Sequence, residues 1–149
     1  MERFGYEYYS KFKELVASEK AKTLFGSLAA DERDHAHLLE IELSNLGGRP
    51  RPVPDKELSK ALKEVFPDRI RKNAIHAKDA ISAIKLGIST ERRSIEFYTR
   101  HAARSSPKMR KIFAKLIRME VMHLGLLEEN LQLLESDGSW YGYLPILEG

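Results

Sequence analysis

The sequence predicts an all-α protein, a four-helix bundle with a long crossover between its second and third long helices. Three observations carry that reading. Apolar residues recur at helical spacing through four long segments. Charged residues make up 32% of the chain, and Pro and Gly are sparse outside a few boundaries, which suits long helices with solvent-facing sides. The chain also repeats itself: Glu2, Tyr9 and the pair Glu32-x-x-His35 are echoed by Glu91, Tyr98 and the pair Glu120-x-x-His123.

The first long helix is expected from the N-terminus to about Val16. The second runs from about Lys20 to Leu46, where Phe25, Leu28, Leu39, Leu43 and Leu46 share the angular sector of Glu32, and Gly47-Gly48 ends it. Residues 47–78 then hold Pro50, Pro52 and Pro54, a short helix from Asp55 to Phe66 carrying Leu58, Leu62 and Val65, and Pro67. Hairpin connections in bundles take about 2–8 residues. A span of this length suits a crossover that returns along the bundle, so the second and third long helices should run parallel. The third covers about Asp79 to Arg104, with Ile84, Ile88, Ile95, Tyr98 and Ala102 around Glu91. Ser105-Ser106-Pro107 is a start signal for the fourth, which runs to about Ser136 with Phe113, Leu116, Leu124, Leu127 and Leu131 around Glu120. The whole, 1–149, reads as one domain: a bundle over about 1–137 and an apolar, helix-breaking tail over 138–149. The tail, with Trp140, Leu144 and Ile146, is expected to pack on the bundle or on a partner subunit, and a homodimer is expected.

Composition excludes several chemistries. With no cysteine in 149 residues there can be no disulfide, zinc ribbon or thiolate-bound iron, so any electrons must come from outside. The net charge of +3 is mild, and its densest run, Lys108, Arg110, Lys111, Lys115 and Arg118, reads as a solvated helix face rather than a nucleic-acid footprint. No apolar stretch of about 18 residues occurs and the first turns are too charged for a signal peptide, so a soluble, cytoplasmic protein is expected.

At about 100° per residue, a Glu and a His three apart project from one face of a helix and can reach one ion. A Glu and a Tyr seven apart fall almost on one line, so Tyr9 should lie over Glu2 and Tyr98 over Glu91. Glu7 and Glu96 repeat too, but sit about 140° from that line and should be at the surface. His37, about 200° from His35, should also be exposed. In all four segments the acidic line coincides with the apolar stripe. Buried carboxylates must be paired, protonated or metal-bound, because a bare one costs several kcal/mol or more. Four carboxylates and two imidazoles at repeated spacings form a ligand set for two metal ions, and hard oxygens with one imidazole per ion favour iron or manganese over copper or zinc.

On these residues the chain resembles the erythrin domain of the rubrerythrin group, in the ferritin-like superfamily, over about residues 1–137. The resemblance implies a ferritin-like bundle whose Glu2, Glu32, His35, Glu91, Glu120 and His123 hold two iron ions, with manganese or a mixed pair as variants. Glu32 and Glu120 would bridge the ions, Glu2 and Glu91 would be terminal, and each His would cap one. Tyr9 and Tyr98 would donate hydrogen bonds that orient the carboxylates, or be plain core tyrosines. The implied activity is an oxidoreductase that reduces hydrogen peroxide, or oxidises ferrous iron with dioxygen or peroxide, fed by an external donor such as a rubredoxin. The alternatives are a hydroxylase of the same superfamily and a metal-binding, iron-handling bundle without turnover. The chain departs from the family pattern in lacking a Cys-x-x-Cys tail and in carrying Ile88 where an extra Glu stands. It also has only Met1 ahead of Glu2, so the ion relying on Glu2 is expected to bind more weakly than the one relying on Glu91.

Overall fold

In a computed structural model, residues 1–47, 55–65, 79–136 and 138–140 are described. Among them are five helices and no strand: α1 Glu2–Leu15, α2 Glu19–Asn45, α3 Asp55–Val65, α4 Ala80–Ala103 and α5 Pro107–Ser136. Several boundaries have a local cause. Ser18 accepts a hydrogen bond from the Ala21 amide and starts α2, Asp79 does the same for Ser82 at 2.8 Å and starts α4, and Ser106 caps Met109 ahead of Pro107. Gly47, at φ +71°, adopts the left-handed conformation that follows the end of α2. The proline run 50–54, Gly48, Pro67, His76, the side chains of Leu58 and Leu62, and the tail from Tyr141 on lie outside the description.

Helix directions follow from side-chain pairings. The hydroxyl of Tyr98 on α4 donates to Glu2 on α1, and that of Tyr9 on α1 donates to Glu91 on α4, so α1 and α4 are antiparallel. Only residues 16–18 separate α1 from α2, and these two helices pack along one another as a hairpin. Helices α2 and α4 therefore run parallel, with the end of α2 and the start of α4 at opposite ends of the bundle. Helix α3 rests on α4, with Arg93 donating to the Glu64 carbonyl and Arg100 paired with the Glu64 carboxylate, and its Val65 is fully buried.

The bundle is layered along its axis. One end is an apolar core of Tyr9, Phe12, Phe25, Leu28, Ile84 and Leu127, all fully buried, with Ile88 among its members. Half-buried Trp140, at the start of the tail, packs against this core. The middle layer carries the acidic and imidazole side chains. At the far end the expected stripe on α2 opens: Leu43 is only half-buried and Leu46 is 36% exposed. The reason is that Glu2, the first residue of α1, lies level with His35, so α1 does not flank the last turns of α2. No described helix is long and apolar enough to cross a membrane.

Candidate metal centre

Each half of the repeat supplies its three polar side chains from helix positions that turn toward the bundle axis, and the fold closes the two halves on one another. Glu2, Glu32, His35, Glu91, Glu120 and His123 are all buried, the most open being His35 at 7%. Among the described residues their ligand atoms fall into three overlapping groups, each with atoms within 4.8 Å of one another: Glu2, Glu32, His35 and Glu120; Glu32, Glu91, Glu120 and His123; and Glu32 with His35 and His123. Glu32 and Glu120 belong to both of the four-membered groups. Glu2 with His35, and Glu91 with His123, each belong to only one of these four-membered groups. The structure thus brings all six residues together. The helix-starting Glu2, at 3% exposure, is nearly as buried as Glu91 at 1%.

The atoms face each other without bonding. His35 Nδ1 lies 3.5 Å from Glu2 Oε2, and His123 Nδ1 lies 3.5 Å from Glu32, 3.8 Å from Glu91 and 3.8 Å from Glu120. Glu2 Oε2, His35 Nδ1, Glu120 Oε2 and both nitrogens of His123 are buried without a hydrogen-bond partner. Orphaned buried polar atoms are expensive, and here four of them, all but His123 Nε2, converge on one spot. Four carboxylates would be neutralised by two divalent cations, which the hard oxygen and imidazole donors suit. The residues present fit a two-ion centre.

Without cations the same site must hold protons. Burial pushes the Glu32 carboxyl up to about 8, aided by the charges of Glu2 and Glu91 and only partly opposed by His123. Burial, then Glu32 and Glu91, push Glu120 well above the ordinary carboxylate range. For Glu2 burial is outweighed by His35 and by the Tyr98 proton, and its carboxyl is held below that range. Burial would lower the imidazolium of His123, but Asp31, Glu32 and Glu91 carry it up to about 10.

The tyrosines share the helical lines of Glu2 and Glu91 within their own helices, but each bonds the Glu of the other half: Tyr9 donates to Glu91 and Tyr98 to Glu2. Seven residues are about 10.5 Å along a helix, beyond a side chain's reach, whereas the antiparallel neighbour brings the partner alongside. Burial and the neighbouring carboxylates raise both phenols well above the ordinary value, so they remain donors. Glu7, Glu96 and His37 are exposed, as their angles require.

Two residues escaped the sequence reading. Asp31 Oδ2 lies 3.4 Å from His123 Nε2, the ring edge turned away from the ligand cluster. No spacing pointed to it: its partner His123 is on another helix, and the repeat has Met119 in the matching place. Gly5 is the other. A Cβ there would meet Glu32 Cδ at 2.6 Å and Oε2 at 2.8 Å, so the bare backbone of α1 makes room for the shared carboxylate. A glycine inside a helix, three residues after Glu2, was the visible clue.

The model of one protein family, rubrerythrin, matches residues 1–131. No curated protein and no solved structure matches the chain.

Proposed function

The chain belongs to the rubrerythrin family, which indicates a di-iron carboxylate protein, and from that premise we propose that it is an oxidoreductase reducing hydrogen peroxide to water. The observation that carries the reading is the pair of four-residue groups sharing Glu32 and Glu120. Two redox-active ions, one per group, would supply an electron each, the two required by H2O2 + 2e⁻ + 2H⁺ → 2H2O.

The side chains have separable roles in this reading. Glu32 and Glu120 hold the two positions at a fixed separation, because each is common to both groups. Glu2 and His35 complete one position, and Glu91 and His123 the other. Tyr98 occupies Glu2 Oε1 and leaves Oε2 facing His35, and Tyr9 anchors Glu91 through Oε1. Asp31 holds the far edge of His123 and sets which ring nitrogen faces the cluster. With no ligand residue more than 7% exposed, the centre suits a reactant of a few atoms, such as peroxide or dioxygen, over a bulky one. The expected homodimer and cytoplasmic location belong to the same proposal.

The test loads the protein with iron or with zinc, which does not change oxidation state, and follows peroxide with ascorbate as reductant. Iron-loaded protein should consume one peroxide per two electrons, and zinc-loaded protein none. If iron-loaded protein consumes no more than zinc-loaded protein, the chain binds metal without this activity.

A further inference from the structure

We propose that the outer face of α5 is where a second copy of this chain docks, the two α5 helices lying antiparallel across a two-fold axis at the level of His123 and Leu124. The proposal rests on the homodimer reading and adds where the copies meet. Steps of four, three and four place Arg118, Met122, Gly125 and Glu129 within about 60° of arc, on the side of α5 opposite Glu120 and Leu127. Met122 is 42% exposed and its neighbour Val121 49%, and Arg118 and Glu129 are exposed as well. Two adjoining large apolar side chains thus stand in solvent between an exposed cation and an exposed carboxylate.

Two features of α5 bring no benefit to a single copy. The first is Gly125. A Cβ at Gly5 would strike Glu32, one at Gly26 would come within 3.3 Å of Lys13 and one at Gly87 within 3.1 Å of Leu127, whereas one at Gly125 would meet nothing within 4 Å. Glycine inside a helix is less stable than alanine, and at Gly125 nothing within the chain requires it. The second feature is charge. The cations Lys108, Arg110, Lys111, Lys115 and Arg118 all precede Glu120, while Glu128, Glu129 and Glu135 follow it, the reverse of the order that the helix dipole favours. Glu128 and Glu135 pair with Arg92 and Lys85 on α4 at 2.6 and 2.7 Å, whereas Arg118 and Glu129 are in no ion pair among the described residues.

A second copy answers both features at once. The axis at His123 and Leu124 sets Arg118 of each copy opposite Glu129 of the other, and Met122 of each opposite Gly125 of the other. Met122 then fills the room that the missing Cβ leaves, and the helices can approach at the near end of the usual range of about 8–10 Å. The two Arg118–Glu129 pairs close the contact at either end. Farther along the same row, Lys111 and Lys115 fall opposite uncharged Ser136 and Gln132, so no like charges meet. The cationic half of each helix lies along the anionic half of the other, which favours this antiparallel register over a parallel one.

The experiment is sedimentation equilibrium of the full chain, with helicity by circular dichroism as the check that each variant folds. Arg118→Glu and Glu129→Arg should each weaken dimerisation by about tenfold or more, because each sets like charges opposite one another twice. The double variant Arg118→Glu/Glu129→Arg, which exchanges the charges, should dimerise as the native chain does. Gly125→Leu should also weaken the dimer, by filling the room that Met122 takes, and should still bind metal as the native chain does. Lys11→Glu, an exposed cation on α1, should leave the dimer unchanged. A dimer indifferent to the single reversals, or a charge-exchanged variant no stronger than the single ones, would overturn the placement on α5 while leaving the homodimer reading intact. A native chain that is monomeric at micromolar concentration would overturn both.

Discussion

Replacing Gly5 with Ala should weaken the two-ion centre while leaving the fold in place. The added Cβ would stand 2.6 Å from Glu32 Cδ. Carbon contacts settle at about 3.5–4.0 Å, so the carboxylate must withdraw by roughly 0.9 Å. Glu32 is only 3% exposed and has little space to withdraw into. Overpacking of this kind costs about 1–3 kcal/mol. Against it, Ala in a helix interior gains about 1 kcal/mol over Gly, so the empty protein should lose no more than about 2 kcal/mol. Binding is hit harder, because Glu32 serves both groups. Strain of that size borne by the loaded site corresponds to about 5- to 150-fold weaker binding. The assay is an anaerobic calorimetric titration with ferrous iron beside thermal unfolding of the metal-free protein. Gly125→Ala is the control, since its new Cβ meets nothing within 4 Å; it should stabilise the fold and bind as the native chain does. A Gly5→Ala variant with native affinity for two ions would refute the packing argument.

Asp31→Asn should lower the affinity of the ion held by Glu91 and His123 by about 10- to 100-fold, with the other ion less affected, as competition with a chelator would reveal; equal loss at both would contradict the assignment. The metal-free protein should lose stability as pH rises. Glu32, raised from 4.5 to about 8, keeps its proton in the folded state where the unfolded chain has lost it, so its contribution is full below 4.5 and gone above 8. His123, raised from 6.5 to about 10, contributes fully below 6.5 and loses that contribution through 10. The melting temperature should therefore fall from pH 5 to pH 9 without metal, and the gain on adding manganous ion should grow over the same range; a metal-free protein more stable at pH 9 would reverse the sign of the argument. Tyr98→Phe should weaken the ion that relies on Glu2, and Tyr9→Phe the one that relies on Glu91, since each phenol bonds the other half's carboxylate. The opposite pairing in a metal titration would contradict it.

Much of this was legible in the sequence because the repeat samples one geometry twice. Helical periodicity placed the four long helices to within a residue or two, and the three-residue Glu-His spacing placed both imidazoles beside their carboxylates. What periodicity could not supply was the pairing between helices. Tyr9 and Tyr98 fell on the right lines of their own helices, but a period says nothing about which neighbour lies alongside, and the antiparallel contact of α1 with α4 swapped their partners. Asp31 was hidden for a related reason: its partner His123 is on another helix, and the repeat that drew attention to Glu32 has Met119 where Asp31 stands. Leu46 shows the limit of a stripe, since an apolar face is buried only where a neighbouring helix reaches it.

The claim on which all else depends is that Glu32 and Glu120 serve two ions at once. Counting irons per chain after anaerobic loading and removal of excess tests it most directly, in the native protein, Glu32→Ala, Glu120→Ala and the exposed control Glu96→Ala. The native chain and the control should each hold two, and loss of either shared carboxylate should abolish the pair. A full complement of two irons in Glu32→Ala or Glu120→Ala would contradict the shared-ligand centre.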